Sequence, residues 1–281
     1  MKIGISAEHR FEKDHYGKIK SFGFDYYDLN MSNTDQALYS DCEEDFCGYL
    51  KRERAQADKA GVRIWQVHGP WRYPPRDETK DDRAERLEKM KRSIRGAAIL
   101  GASYWVIHPI MPFGVTDLVT NQASETRALN LEFMQKLLPT AKDEGITVCP
   151  ENMPFPDFSL SSPAAIADLV EEINDPAFAM CLDTGHANIC KDWHTPAQAI
   201  TEFGHLIKTL HVHDNHGRRD EHLAPFYGTI DWRAFSQAIR DSGFEGVISL
   251  ECSPSGKLPK DILEDTYAIY ARIATALYDL K

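Results

Sequence analysis

FAMCLDTGHAN, residues 178–188, decides the fold. A short apolar run ends in a carboxylate at Asp183, and His186 follows three residues later on the same loop. That is the pattern of a buried strand running into a loop that carries chemistry. The pattern recurs. VRIWQVHGPW (62–71) ends in His68, SYWVIHPI (103–110) in His108, ITVCPEN (146–152) in Glu151 and GVISLEC (246–252) in Glu251. IKTLHVHDN (207–215) ends in His211, His213 and Asp214. Metal-binding residue types are thus gathered at one end of successive strands. In a (β/α)₈ barrel that end is the C-terminal face, where active sites of this architecture sit.

Working outward, eight strands are predicted, at 2–7, 24–30, 62–68, 103–109, 146–151, 178–183, 207–213 and 246–252. Gly23, Gly61, Gly101, Gly145 and Gly243 stand at or near strand starts, the usual way to end the preceding helix. Helical patterns fill the intervals. One, RAERLEKMKRSIRGAAILG, places Leu87, Met90, Ile94, Ala97 and Ala98 on one stripe; SSPAAIADLVEEI opens with Ser162 as cap and Pro163 at the first helical position. Alternation of strand and helix predicts a parallel sheet covered by helices. Eight units favour closure over a doubly wound sheet, whose Gly-rich turn after the first strand is replaced here by SAEHRFEKD. The expectation is an α/β chain, a single-domain (β/α)₈ TIM barrel spanning 1–281.

The composition is consistent with this. A chain of 281 residues suits one barrel, and no Pro/Gly/Ser-rich linker divides it. No apolar run is long enough to span a bilayer, and MKIGISAEHR lacks the layout of a signal peptide, so the chain is expected to be cytoplasmic. A net charge of −11 argues against sequence-independent nucleic-acid binding. The six cysteines form no CxxC pair, and Cys149 and Cys181 read as small inward-facing fillers. G-x-S-x-G, P-loop and H-E-x-x-H patterns are absent.

Glu151, Asp183, His211 and Glu251 follow strands five to eight, one residue from each. Three carboxylates and an imidazole suit Mn²⁺ or Zn²⁺, whereas Mg²⁺ prefers oxygen alone. A second set, His68, His108, His186, Asp220 and His222, lies around the same rim. It would either complete a centre of two or three ions or hydrogen-bond a polyhydroxylated substrate. Trp71, Phe113, Phe155, Trp193 and Phe226 also flank the rim; Trp71, Phe113 and Phe155 are the candidates for the apolar wall of a small-molecule pocket.

These residues carry a resemblance. HGPW at 68–71, HP at 108–109, PEN at 150–152, LDTGHAN at 182–188, HVHDNHGRRDEHL at 211–223, GTIDW at 228–232 and LE at 250–251 resemble the xylose isomerase-like TIM barrels, a superfamily that includes endonuclease IV. The resemblance covers nearly the whole chain. It implies metal ligands at Glu151, Asp183, His211 and Glu251, with the two glutamates as an acid–base pair. It also matches the wider ligand set of endonuclease IV, which binds three zinc ions, with His68, His108, His186, Asp220 and His222. Two features depart from that enzyme: NMSNTD after the second strand has no Arg, and the stretch from Asp214 to Asp220 is short.

The function expected is a metal-dependent isomerase or epimerase acting on a sugar, keto-sugar or related polyol through an enediolate. Glu151 and Glu251 would move the proton and His186 would steady a substrate oxygen. The alternatives are an endonuclease IV-like hydrolase of abasic-site DNA, a lyase or dehydratase starting from the same enediolate, and a metal- or sugar-binding module without turnover. Homo-oligomer formation is left open.

Overall fold

A computed structural model describes residues 2–7, 11, 14–31, 42–70 and 77–280. All eight predicted strands form: β1 (Ile3–Ile5), β2 (Tyr26–Asn30), β3 (Arg63–His68), β4 (Tyr104–Ile107), β5 (Thr147–Pro150), β6 (Met180–Asp183), β7 (Ile207–His211) and β8 (Ile248–Leu250). Six of them run in the order β5-β4-β3-β2-β1-β8, every pairing parallel, and β6 pairs with β7. Parallel bridges Val148–Phe178 and Glu151–Cys181 join β5 to the β6 segment, and Val212–Leu250 joins the β7 segment to β8. The ring closes into a (β/α)₈ barrel.

The helices between the strands are α1 (His15–Phe22), α2 (Glu43–Ala60), α3 (Lys80–Leu100), α4 (Ala123–Glu144), α5 (Pro163–Ile173), α6 (Thr184–Ile189), α7 (Pro196–Phe203), α8 (Trp232–Ser242) and α9 (Lys260–Asp279). The stripe read on α3 faces inward: Met90, Ile94 and Ala97 are buried, and Leu87 and Ala98 pack against the same core. Ser162 caps α5 by accepting from Ala165 N at 3.0 Å, with Pro163 in the first turn. The main core lies between the strands and these helices. Inside the barrel, Cys149 and Cys181 join Val106 and Ala179 in a small buried cluster.

Two irregularities position the site. Between β2 and β3 the register shifts after Tyr27–Ile64, so that Asp28 pairs with Gln66. Between β6 and β7 it shifts after Met180–Ile207, so that Asp183 pairs with His211. Each shift adds one residue to one strand, and such bulges re-aim side chains beside functional sites. Without the second, Asp183 would stand beside Leu210. No helix among the described residues is long and apolar enough to cross a membrane.

Candidate metal centre

The C-terminal ends of β3 to β8 converge. His211 Nδ1 lies 2.8 Å from Glu151 Oε1 and 3.2 Å from Glu251 Oε2. Glu151 Oε2 lies 3.1 Å from His108 Nε2 and 3.4 Å from His68 Nε2. Asp183 caps the short helix α6 by accepting from His186 N at 2.6 Å through Oδ1, and its Oδ2 meets His213 Nε2 at 3.0 Å. Asp220 Oδ2 bridges His186 Nε2 at 3.2 Å and His222 Nε2 at 3.1 Å. Glu151, Asp183, His211 and Glu251 each offer one ligand atom, all within 4.8 Å of one another. So do three overlapping triads: His68–Glu151–His211, Asp183–His186–His213 and His213–Asp220–His222.

The histidines are pinned from behind. His68 Nδ1 donates to Gly69 O at 2.6 Å, His186 Nδ1 to Asn152 O at 2.8 Å and His222 Nδ1 to Glu251 O at 2.8 Å. Each leaves Nε2 turned toward the carboxylates. His222 is held with φ at 46°, a left-handed conformation that persists where its surroundings over-determine it. The loops are also stitched together. Asn152 accepts from Asp183 N at 2.8 Å and donates to Asp183 O at 3.1 Å, locking the PEN segment to LDTGHAN. Asp214 accepts from Gly228 N at 3.0 Å, Ile230 N at 3.2 Å and Trp232 Nε1 at 2.8 Å, which anchors the GTIDW segment. At Gly185 a Cβ would collide with the His213 ring, so only glycine lets α6 pass this close.

The charges explain the residue types. Glu151 and Asp183 are fully enclosed, and burial pushes both carboxyls up. The His211 imidazolium at Glu151, and the His186 imidazolium with a hydrogen bond from His213 at Asp183, outweigh that push and hold both below the usual range. Burial lowers His186 and His222, but Asp183 and Asp220 at the first, and Asp220 and Glu251 at the second, carry each up to about 10. His211 is likewise held well above its ordinary value despite burial, by Glu151 and Glu251. His108 goes the other way, lowered by burial to about 4. Burial raises Glu251. Protons on imidazoles therefore balance a buried group of carboxylates, and a divalent cation can replace those protons with the same effect. The donor set, three carboxylates and one imidazole with further imidazoles beside them, fits Mn²⁺ or Zn²⁺.

Every residue of the two expected ligand sets is found in this cluster. His213 and Asp28 were absent from both sets. His213 lies two residues past His211, so strand alternation places both on one side. Asp28 gives no terminal signal, because it sits inside β2. The aromatic wall is different. Phe155 is half-buried and packs on the core, Phe113 is half-buried on its loop, and Trp193 and Phe226 are exposed. Trp71 lies outside the described residues, as does most of the loop after β2. A cavity of about 110 Å³ opens beside Glu251 and His222, lined also by Ser6, Ala7, Asn30, Cys252 and Ser253. A larger depression, about 360 Å³ between α3 and α4, lies away from these residues.

A parallel (β/α)₈ barrel whose strand ends gather carboxylates and imidazoles able to hold a metal ion defines the class of protein. The sequence pattern of the xylose isomerase-like TIM barrel family matches residues 17–270, and the chain belongs to that family. It is 29% identical over 187 residues to a protein of Methanocaldococcus jannaschii, covering 66% of this chain and 63% of that one, just under two thirds of the relative's length. It is 24% identical over 269 residues to a D-psicose 3-epimerase of Ruminiclostridium cellulolyticum, covering 89% and 83%. Among solved structures, a D-psicose 3-epimerase in the presence of D-fructose superposes with a TM-score of 0.78 at 19% identity, covering 99% of each chain. The IOLI protein with a binding zinc atom superposes with a TM-score of 0.74 at 16% identity, covering 99% and 98%.

Proposed function

We propose that this chain is a metal-dependent isomerase or epimerase of a keto-sugar or related polyol, and that residues 1–281 work as one barrel unit. The observation that carries the reading is the convergence of Glu151, Asp183, His211 and Glu251, with Glu251 opening onto the adjoining cavity. These four would hold Mn²⁺ or Zn²⁺, and the flanking triads leave room for a second or third ion. The cation would act as a Lewis acid on a carbonyl and its neighbouring hydroxyl.

The protein's own groups divide the remaining work. Glu251, with its side chain 17% exposed, is the carboxylate with access to the cavity and takes the proton from the carbon next to the carbonyl. Glu151, enclosed among His211, His68 and His108, is its partner in returning a proton to the enediolate. Burial raises Glu251 while the imidazoles keep Glu151 ionised, so the proton that Glu151 returns is one it first draws from the neighbouring His68 imidazolium, 3.4 Å away. His186 steadies a substrate oxygen. Ser6, Asn30 and Ser253 line the cavity with groups that suit sugar hydroxyls. The likeness to a D-psicose 3-epimerase and to a zinc-binding barrel supports both the substrate class and the metal.

One observation favours a second reading. All nine residues that match the endonuclease IV ligand set do converge, and metal-activated water could then attack a phosphodiester. The net charge of −11 weighs against a gripped DNA backbone. A lyase or dehydratase would share the enediolate. The test is purified, metal-loaded protein against a panel of keto-sugars, free and phosphorylated, and against an abasic-site duplex. Conversion of a sugar with no nicking of the duplex is the expected result. Nicking with no sugar converted would reverse the order of the two readings, and loss of water or cleavage of the sugar would move the assignment to a lyase.

A further inference from the structure

Three of the pinned histidines of the centre are alike and one is different. His68, His186 and His222 all donate Nδ1 to a main-chain carbonyl and turn Nε2 inward. His211 is reversed. Its Nε2 lies 2.9 Å from Asp28 Oδ2, and its Nδ1 faces Glu151 and Glu251. Its rear partner is thus a side-chain carboxylate, 1% exposed, not a backbone carbonyl.

Asp28 reaches this position by construction. The register shift between β2 and β3 sets it opposite Gln66, while Tyr27 and Leu29 on either side join the outer core. Gln66 Nε2 donates to the same Oδ2 at 2.8 Å and fixes the carboxylate in place. A carboxylate offers only acceptors, and a neutral imidazole has one N–H and one lone pair. In the metal-free centre both ring nitrogens face carboxylates; once a cation takes the place of the Nδ1 proton, the partner at Nε2 keeps the remaining proton there and leaves the Nδ1 lone pair to the cation.

We infer that Asp28 is a positioning residue that fixes His211 as the Nε2–H tautomer, so that Nδ1 is the ligand atom presented to a divalent cation. The inference rests on the metal reading given above. Asp28 touches neither substrate nor cation; it acts through His211. A carboxylate behind a ligating histidine sets its orientation and raises its basicity, and losing such a partner typically weakens metal binding by ~10–100-fold.

The experiment measures Zn²⁺ affinity by competition with a chromophoric chelator for the wild type, Asp28→Asn and Asp28→Ala. In parallel, long-range ¹H–¹⁵N correlation spectra of histidine-labelled, zinc-loaded protein read the tautomer of His211, assigned with a His211→Gln control. The expected result is zinc bound by the wild type, affinity weakened by ~10–100-fold in both variants, and a proton on His211 Nε2 in the wild type. A role limited to packing would lower the melting temperature of the metal-free variants and leave zinc affinity unchanged. Unchanged affinity, or a wild-type His211 protonated on Nδ1, overturns this inference and leaves the metal reading standing. No zinc uptake by the wild type overturns both. Should neither variant fold, the wild-type tautomer decides.

Discussion

Gly185→Ala probes the junction between LDTGHAN and HVHDN directly. A Cβ at residue 185 would stand inside the His213 imidazole. That ring cannot swing aside: it is fully buried, held by Asp183 Oδ2 at 3.0 Å, and stacked on His222 with centroids 4.2 Å apart. Overpacking a buried site costs roughly 1–3 kcal/mol. Expelling the ring also breaks a charge-assisted hydrogen bond, roughly 1.5–3 kcal/mol. The variant should therefore lose about 3–6 kcal/mol, which at about 2 °C per kcal/mol for a large domain lowers Tm by roughly 6–12 °C. His213→Ala alone leaves a cavity and takes the His213 partner from Asp183 Oδ2, yet it removes the obstacle. Gly185→Ala in a His213→Ala background should then cost far less than in the wild type, the mark of two residues that share one space. Thermal melts and urea titrations of the four proteins give the cycle. A Gly185→Ala protein melting within about 2 °C of wild type, or costs that simply add, would refute the packing described here.

Three further outcomes follow from the charge arrangement. Elemental analysis of protein purified without chelator should find at least one divalent transition ion per chain, with EDTA abolishing turnover and added Mn²⁺ or Zn²⁺ restoring it. Asp183→Asn and His211→Ala should lose metal and activity together, whereas Phe155→Ala, which trims a half-buried ring packed on the core, should keep its metal while losing roughly 1–3 kcal/mol of stability. In metal-free protein, His186 and His222 have folded-state values of about 10 against an ordinary 6.5. Their stabilisation is complete below pH 6.5 and lost as pH rises toward 10, up to about 5 kcal/mol for the buried His186 over that window and less for His222, whose partly exposed ring is screened by solvent. Urea midpoints should fall from pH 6.5 upward in the metal-free protein and stay level in the loaded one. A flat metal-free profile would contradict these assignments.

Much of this was legible in the sequence because strand ends in a barrel are chemically conspicuous. An apolar run closing on Asp183, Glu151 or His211 announces both the strand and its functional tip, and all eight strands stand where the pattern puts them. What stayed hidden depended on register. Asp28 lies within β2, and a one-residue shift opposite Trp65 brings it beside Gln66; no periodicity in either strand shows that shift. His213 shared its parity with His211 and was open to inference, but Gly185, the residue that makes room for it, lies 28 positions away in sequence. The aromatic residues were the least readable. Phe155 follows a strand as a pocket wall would, yet it packs on the core, because an apolar ring near a rim can bury itself on either side.

The central claim is that Glu251 moves a carbon-bound proton in a sugar held at this centre. Its most direct test is incubation of the metal-loaded protein in D₂O with the sugar it converts, followed by NMR of the carbon next to the carbonyl. Deuterium should appear at that carbon with wild-type protein, and Glu251→Gln, which keeps the shape but cannot accept the proton, should suppress the label even in excess Mn²⁺ or Zn²⁺ that keeps the centre loaded. Conversion of the sugar with no label in the wild type, or labelling undiminished in Glu251→Gln, would contradict the account.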